Sequence, residues 1–404
     1  MTYVELFDRN VLENVCTCLS NPPDKVIFLG SGLKEMTAHA KRYEAVFKNR
    51  GINVEFIVRS VNRANMEAVV SSLAEIVEEE QECIIDITGG DDVFLFAVGM
   101  ILERYKDKNV QVHRYNIRSG SILDCDRDGK IMNVSEMPCL SFKENLLLFG
   151  GSLYEPENNE NNQWEITADF RKDIDLMWKI CAKDPRRWNT YANYLSVFEL
   201  VADQDGDPLE VIVQKSRIKS RCPNIEEDFF VSLRTCGLLT EYSSNKSFIR
   251  LRYKNLQVKR CLQKAGQALE LKIYVLTSEL EEDGKPFYND VVTGVDIVWA
   301  GTEAEEVTGD NVHNEIDVVM MRKMIPVFVS CKNGYFDSEE LFKLSSVAEK
   351  FGGKYANKLI VTSNDDCSDI IKKRAEDLGI IIVGRIRNIT DEKLAEKIRN
   401  VSVN

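Results

Sequence analysis

The chain has 404 residues, too many for one ordinary core, so we predict two or three domains. It is 44% hydrophobic and 29% charged, with no apolar run long enough to span a bilayer and no signal-peptide start. Its 11 cysteines form no C-x-x-C pair and its three histidines are far apart, which argues against a local zinc motif. We therefore expect a reduced, cytoplasmic protein with no membrane partner.

The net charge of −13 argues mildly against nucleic-acid binding, but the basic residues are unevenly distributed. The segment 242–269, here called the basic strip, contains no Asp or Glu. Its cations are Lys246, Arg250, Arg252, Lys254, Lys259, Arg260 and Lys264. The run "QKSRIKSR" at 214–221 is also purely basic. Each segment is equally compatible with a solvated face and with a surface that follows phosphates.

The first domain, residues 1–145, alternates strands and helices in the manner of a doubly wound α/β sheet. The strand "KVIFLGSG" is followed by the helix "LKEMTAHAKRYEAVFKNRG" and the strand "VEFIVRS". The helix "NMEAVVSSLAEIVEEE", the strand "CIIDITGG" and the helix "DVFLFAVGMILERYK" come next. Strands within "VQVHRYNIRSGSILD" close the predicted sheet.

A polar linker and a smaller domain are predicted for residues 146–255. The linker is "GGSLYEPENNENNQW", and "ADFRKDIDLMWKICAKDPRRWNTYANYLSVFELV" reads as helical. "EEDFFVSLRTCGLLTEYSSNKSFIRLRYKN" predicts a helix, a turn and a hairpin, which is the pattern of a winged helix.

The third domain, residues 256–404, is predicted to follow the order αβββαβαβ. It begins with one helix, "LQVKRCLQKAGQALELKIYVLTSEL", and its second and third strands form the hairpin in "NEIDVVMMRKMIPVFVSCKNG". The hairpin is very hydrophobic, yet Asp317 interrupts one strand and Lys332 ends the other.

Two turns rich in small residues lie where strands of the first domain end. One is Gly30-Ser31-Gly32 and the other is Thr88-Gly89-Gly90, followed by Asp91. Ligands of doubly wound sheets bind at these strand ends, and successive backbone N–H groups at a helix N-terminus suit a phosphate. Asp91 is also a typical helix cap. The first turn lacks the third glycine of the dinucleotide fingerprint, which disfavours a nicotinamide oxidoreductase.

The pair "KVIFLGSG" and "DITGGDD" resembles the CARF (CRISPR-associated Rossmann fold) domain, a dimeric sensor of cyclic oligoadenylates. The stretches "GQALEL", "NEIDVVMM", "PVFVSCKNG" and "LFKLSSVAEKFGG" resemble the PD-(D/E)xK nuclease domain of CRISPR ancillary nucleases. Together the resemblances cover nearly the whole chain. They imply a Rossmann-like domain, a winged-helix-like middle and a restriction-endonuclease-like carboxy-terminal domain.

The resemblance also implies a function. The chain would be a homodimeric nuclease in type III CRISPR antiviral defence, activated by cyclic tetra-adenylate and cleaving DNA or RNA with Mn²⁺ or Mg²⁺. The ligand would be held by residues of the two turns: Gly30, Ser31, Gly32, Thr88, Gly89, Gly90 and Asp91. Because Gly90 would face a phosphate, we expect Gly90→Val to remain folded and to lose ligand binding.

The hairpin supplies the nuclease residues. With Arg322-Lys323 as the turn, Asp317 lies opposite Phe328 and Glu315 opposite Ser330. Side chains alternate along each strand, so Glu315, Asp317, Ser330 and Lys332 share one face. We expect Asp317, Lys332, Ser330 and Glu270 to be catalytic. Asp317, Glu270 and Glu315 are the candidate metal ligands.

Ser330 departs from the family pattern, which has an acid or Gln two residues before the lysine. A hydroxyl is a poor ligand for a divalent cation beside a carboxylate. Glu315 could replace the acid, water could complete the metal's shell, or the site could be weakened. The alternative function is therefore a nuclease-inactive regulator that senses cyclic oligoadenylate and binds DNA.

Overall fold

The computed structural model describes residues 1–80, 82–116, 121–125, 131–154, 164–202, 206–299, 313–364 and 367–402. For 121–125, 131–136, 299 and 313 the description covers the backbone alone. In these ranges, no helix is both long and apolar enough to cross a membrane. The ten cysteines whose side chains are described are free thiols.

The amino-terminal part is a seven-stranded sheet with helices on both faces. Its elements are β1 (Thr2–Leu6), α1 (Cys16–Ser20), β2 (Lys25–Gly30), α2 (Leu33–Asn49), β3 (Glu55–Ser60), α3 (Met66–Glu79), β4 (Cys83–Asp86), α4 (Asp92–Arg104), β5 (Val110–Asn116), β6 (Ser121–Cys125) and β7 (Ile131–Glu136). A 3₁₀ helix, Val11–Asn14, precedes α1. The strand order is β3-β2-β1-β4-β5-β6-β7. The first five strands are parallel and the last two pairings are antiparallel, which confirms the Rossmann-like prediction.

Strand β1 was not predicted, although it lies in the middle of the sheet between β2 and β4. It is fully buried, from Thr2 to Leu6. The chain runs outward from β1 in one direction to β3 and returns to β4 on the other side. Adjacent crossover loops therefore separate at the carboxyl ends of β1 and β4, and such a switch point is where doubly wound folds bind ligands.

Two short elements connect this sheet to the last one. They are α5 (Phe142–Phe149) and β8 (Gly151–Leu153). In α5, Glu144 forms an ion pair with Arg50, next to the end of α2, at 2.6 Å. The Asn145 amide donates to the Phe351 carbonyl in the carboxy-terminal part at 2.6 Å. Helix α5 is thus bonded to both parts of the chain.

The middle part contains helices around a three-stranded sheet. Its elements are α6 (Ala168–Lys183), α7 (Pro185–Val201), β9 (Glu210–Gln214), α8 (Lys215–Ile218), α9 (Glu227–Thr235), β10 (Leu239–Ser244), β11 (Phe248–Tyr253) and α10 (Leu256–Gln263). The predicted helix and hairpin are confirmed, with β9 added to give the order β10-β11-β9. The long helical stretch is divided at Asp184, which caps α7, because Pro185 is suited to the first turn of a new helix.

The carboxy-terminal part is a six-stranded sheet of order β18-β17-β16-β15-β14-β8. Its own elements are α11 (Gln267–Ser278), β12 (Glu281–Glu282), β13 (Lys285–Pro286), β14 (Asp290–Trp299), β15 (His313–Arg322), β16 (Ile325–Lys332), α12 (Ser338–Gly352), β17 (Asn357–Thr362), α13 (Asp369–Asp377), β18 (Ile380–Val383) and α14 (Asp391–Val401). The predicted αβββαβαβ order is present, together with the short β12–β13 pair and α14, which were not predicted.

The prediction of a single helix over 256–280 is wrong. The first helix, α10, ends at Gln263 and α11 begins at Gln267. Lys264, between them, has extended backbone angles, with φ −120° and ψ 114°. The Trp188 indole donates to the Ala265 carbonyl at 3.1 Å, so this break is bonded to the middle part. Because of this break, the Lys264 side chain extends toward Glu315 on β15.

Candidate active site

The β15–β16 hairpin is paired two residues away from the predicted register. Phe328 lies opposite Val319 instead of Asp317, and Arg322 pairs with Ile325. The turn is made by Lys323, at φ 56°, and Met324. The prediction of the register is therefore wrong. A shift of two residues keeps each side chain on its face, because side chains alternate with a period of two.

Asp317 is held against the opposite strand. Its Oδ2 accepts a hydrogen bond from the Cys331 backbone N–H at 2.6 Å and one from the Ser330 hydroxyl at 3.3 Å. The Lys332 ammonium is 3.9 Å from the same oxygen. Burial raises the pKa of Asp317, and the Lys332 charge opposes that rise. The structure thus brings Asp317, Ser330 and Lys332 together on one face of the hairpin, as predicted.

Glu340, which was not predicted, completes this group. It lies in the first turn of α12, and its Oε1 is 3.0 Å from the Lys332 ammonium. The same oxygen accepts a hydrogen bond from the Ser330 hydroxyl at 2.8 Å. The available sequence signal was the acidic first turn after the hairpin, which Asp337 caps. Such turns are common for electrostatic reasons alone, so the signal is weak.

Glu270 approaches the group from α11. Its side chain is buried, and its Oε2 accepts a hydrogen bond from the Gln267 amide at 3.0 Å. Burial, followed by the charge of Asp317, raises the pKa of Glu270 to about 7. A Cβ at Gly266 would lie 2.7 Å from Glu270 Oε1, so this glycine leaves room for the carboxylate. The predicted approach of Glu270 to Asp317 is therefore present.

Glu315 is turned toward a second lysine. Its Oε1 is 2.5 Å from the ammonium of Lys264 at the α10–α11 break, and both side chains are about half exposed. Burial alone would lower the pKa of Lys264, but the charges of Glu270 and Glu315 raise it above the ordinary value. The site thus has two amino groups, of which the sequence predicted only Lys332.

The donor set fits one divalent cation with few protein ligands. In the part of the chain that is described, no three His, Cys, Asp or Glu residues are close enough together to hold a metal. Asp317 and Glu270, however, are two largely buried carboxylates, and burial followed by the charge of Asp317 raises the pKa of Glu270. Hard divalent cations prefer such oxygens, and a cation between the two would remove their repulsion.

A cleft separate from the candidate active site lies at the switch point of the amino-terminal sheet. It has a volume of about 390 Å³. Its lining comprises Phe7, Asp8, Arg9, Ser31, Gly32, Glu35, Arg63, Gly90, Asp91 and Phe94. Four of the predicted ligand residues are thus in one cleft. Arg9 and Arg63, which were not predicted, line it too, in long ion pairs of 3.6 Å to Glu35 and 3.7 Å to Asp91.

The other three predicted ligand residues have packing roles. The Thr88 hydroxyl accepts a hydrogen bond from the Tyr115 backbone N–H at 2.6 Å. A Cβ at Gly30 would lie 2.7 Å from Phe7 Cβ, and one at Gly89 would lie 2.9 Å from Asp8 Cβ. These glycines allow the turns to pack against the residues that follow β1.

Gly90 has a packing role as well as a place in the cleft. A Cβ there would lie 2.7 Å from Leu6 Cβ, and Gly90 has φ +85°. Leu6 is buried in the sheet. Gly90→Val, which was expected to remain folded, would therefore be strained, because both the position and the backbone conformation oppose a branched side chain.

Acidic side chains from elsewhere in the chain neutralise most of the basic strip. The pairs are Arg250 with Glu210 at 2.5 Å, Arg252 with Asp207 at 2.5 Å, Lys254 with Asp173 at 2.8 Å, Lys259 with Glu199 at 2.7 Å and Lys264 with Glu315 at 2.5 Å. Arg260 packs over the Trp164 ring, 4.2 Å from its centroid. The strip as a whole is therefore not a continuous phosphate-binding surface.

Residues 258–402 match the family described as "Card1-like, endonuclease domain". A search of curated protein sequences finds no match.

Two solved structures match over the full chain. Protein VC1899 from Vibrio cholerae has a TM-score of 0.74 and 17% identity, covering 100% of this chain and 99% of that one. Can2 from Sulfobacillus thermosulfidooxidans, solved in complex with cyclic tetra-adenylate, has a TM-score of 0.69, 17% identity and the same coverage. At this identity the likeness concerns the fold. The resemblance predicted from the sequence is thereby confirmed: the chain has the Can2-like fold, and its residues 258–402 match the Card1-like endonuclease domain family.

Proposed function

We propose that this protein is a cyclic-tetra-adenylate-activated, divalent-metal-dependent nuclease of type III CRISPR antiviral defence. The observation that carries the proposal is the convergence of Asp317, Glu270, Lys332 and Glu340 within the segment that matches the endonuclease family. Carboxylates beside a lysine at the end of a hairpin suit hydrolysis of a phosphodiester.

Asp317 and Glu270 would hold Mn²⁺ or Mg²⁺. When bound, the cation would supply charge stabilisation at the scissile phosphate and lower the pKa of an attacking water. The backbone N–H of Cys331 fixes one Asp317 oxygen, so this carboxylate is oriented before any substrate arrives. The Gln267 amide orients Glu270 in the same way.

Lys332 would neutralise charge on the phosphate. Burial alone would lower the pKa of Lys332, but Asp317 and Glu340 raise it above the ordinary value, so the amino group carries its proton. The 3.0 Å contact with Glu340 also restricts where the ammonium can point. A fixed, charged donor is what stabilises developing charge in a transition state.

Glu340 would compensate for Ser330. The Ser330 hydroxyl, whose single proton is closest to Glu340 Oε1 at 2.8 Å and is 3.3 Å in oxygen–oxygen distance from Asp317 Oδ2, lies between the two carboxylates that flank Lys332. The acid that the family pattern has on the strand would here be supplied by the helix. This proposal replaces Glu315, whose carboxylate is paired with Lys264.

The cleft of the amino-terminal sheet would bind cyclic tetra-adenylate. Arg9 and Arg63 would meet its phosphates, since their side chains are 86% and 67% exposed and their ion pairs are long. Arg63→Ala would weaken binding in calorimetry with cyclic tetra-adenylate. Unchanged binding in both Arg63→Ala and Arg9→Ala would place the ligand elsewhere.

Homodimerisation would use α4, which begins at this cleft. Leu95, Phe96 and Met100 on α4 are 41%, 64% and 40% exposed, and a Cβ at Gly99 would meet nothing within 4 Å. Two copies joined through these apolar side chains would bring their clefts together around one two-fold ligand. Phe96→Glu is expected to be monomeric by light scattering, and a dimeric variant would refute this interface.

The predicted bounds 1–145, 146–255 and 256–404 divide the chain into three parts as the three main sheets do, but the first boundary falls inside α5 (Phe142–Phe149). Strand β8, in the second range, pairs with β14 in the third, and α5 is bonded to both outer parts. Ligand-induced movement at the sensor could therefore reach the nuclease sheet through α5.

The test combines protein, cyclic tetra-adenylate, Mn²⁺ or Mg²⁺, and labelled DNA or RNA. Cleavage should require the activator and the metal, and should disappear in EDTA. Cleavage that persists in EDTA would refute the metal-dependent nuclease. Ligand binding without cleavage of any substrate would favour the regulator alternative.

A further inference from the structure

A basic cleft in the middle part has no role in the proposed chemistry. It lies where α8 meets the turn of the β10–β11 hairpin, and the backbone N–H of Lys215 donates to the Ser247 carbonyl across this junction at 2.8 Å. The cleft has a volume of about 420 Å³. It is lined by Lys215, Ser216, Ile218, Lys219, Cys222, Ile225, Glu227 and Lys246.

Two lysines of this cleft, Lys219 and Lys246, differ from the ion-paired cations of the basic strip, to which Lys246 also belongs. Lys219 and Lys246 are exposed and have no ion pair with any residue that the structure describes. Lys215 forms a long ion pair of 3.7 Å with Glu227. The same carboxylate also accepts a hydrogen bond from the Ser244 hydroxyl. The cleft therefore has three amino groups and one carboxylate, whereas most cations of the strip have acidic partners.

We propose that this cleft binds the phosphodiester backbone of the nucleic acid that the protein cleaves. The inference rests on the proposed nuclease function and adds a second substrate contact, outside the active site. Exposed lysines on an otherwise acidic protein concentrate the attraction for phosphates at one place. Of the apolar lining residues, Ile218 and Ile225 have no hydrogen-bonding group that could read base edges, and the Cys222 thiol is buried and only a weak donor.

The neighbouring helix opposes base-specific docking. Helix α9, which precedes the hairpin, begins with Glu227 and Asp228, and Asp228 pairs with Arg187 at 2.6 Å. Acidic residues at this end of α9 would repel phosphates if the helix entered a groove. We therefore expect contacts with the backbone alone, and binding that depends on salt more than on sequence.

The test measures binding without cleavage. The variant Lys219→Ala/Lys246→Ala is made in an Asp317→Asn background, and fluorescence anisotropy is measured without divalent metal. The probes are one labelled DNA strand, the RNA of the same sequence and the DNA duplex. The matched control is Lys172→Ala/Lys183→Ala, which removes the same charge from exposed positions of α6 in the same part of the chain.

The cleft variant should bind at least one probe on the order of tenfold more weakly than the control. The slope of log K against log salt should decrease by about 1.4 for a single strand and about 1.8 for a duplex. Equal affinity of the two variants for all three probes would overturn the inference. Because no cleavage is measured, this failure is distinct from a failure of the nuclease proposal, which would appear as a parent protein that cuts no substrate.

Discussion

Two pairs of buried carboxylates, one in the amino-terminal part and one in the carboxy-terminal part, differ in their surroundings. In the amino-terminal sheet, Glu5 and Asp86 are neighbours on β1 and β4. The Thr17 hydroxyl is within hydrogen-bond distance of both carboxyl groups, and the Cys18 thiol donates to Glu5 at 2.9 Å. Burial raises the pKa of Glu5 and raises that of Asp86 to about 6.

The nuclease pair, Asp317 and Glu270, has similarly raised pKa values, but amino groups accompany it. Lys332 is close to Asp317, and the charge of Lys264 acts on Glu270. The Asp317 side chain is also 16% exposed, whereas Asp86 is 1% exposed. Burial is the largest cause of the raised pKa values in both pairs, so a raised pKa does not identify a reactive site. Cations and an opening to solvent distinguish the second pair.

The largest expected effect is on cleavage, which should differ between variants of the two carboxylate pairs. Asp317→Asn should reduce activator-dependent cleavage by a factor on the order of 10²–10³, because the amide is a poor ligand for a hard cation. The amide oxygen can still accept the Cys331 hydrogen bond, so thermal unfolding should change little. Asp86→Asn, measured beside it, should retain cleavage. Equal cleavage rates in the two variants would contradict the assignment.

The second prediction concerns the carboxylate on the helix. Glu340→Gln should reduce cleavage by roughly 10–100-fold, since it removes the charge that orients Lys332. Glu339→Gln is the matched control, because Glu339 is the exposed neighbour on the same turn of α12. Single-turnover rates at saturating activator check this prediction. A control that loses as much activity as Glu340→Gln would indicate a general effect on α12.

The third prediction tests the Glu5–Asp86 pair through protein stability. The folded pKa of Asp86, about 6, exceeds its ordinary value of 3.8, so the folded state binds more protons between these values. The free energy of unfolding contributed by this group therefore falls as pH rises from about 4 to about 6. Asp86→Asn removes this cost and should stabilise the protein on the order of 2 kcal/mol near neutral pH. Urea denaturation of the parent and the variant near pH 4 and pH 7 measures it; a variant less stable than the parent at neutral pH would refute it.

The smallest expected effect is at Ser330. Ser330→Ala removes the hydroxyl that lies between Glu340 and Asp317, and cleavage should fall roughly two- to fivefold. The residue is buried, and the alanine leaves both carboxylates in place. The steady-state cleavage rates of Ser330→Ala are compared with those of Glu340→Gln and of the parent protein. A loss as large as that of Glu340→Gln would mean that the hydroxyl itself acts on the substrate.

The sequence by itself determined the shared face of the hairpin. Asp317, Ser330 and Lys332 were placed together even though the predicted register was two residues wrong, because alternation depends only on whether a shift is odd or even. It also determined the order of most elements, and the position of Gly90 and Ser31 at strand ends. These features follow from local periodicity and from the conformations that glycine permits.

Only the tertiary structure decided which charges meet. Glu340 lies eight positions after Lys332 in sequence, but it reaches the lysine because α12 packs back along β16. Lys264 meets Glu315 because the helix breaks before α11, and Lys254 is neutralised by Asp173, which is distant in sequence. Side-chain pairing across such separations depends on how the helices pack against the sheets, and no local pattern records that packing.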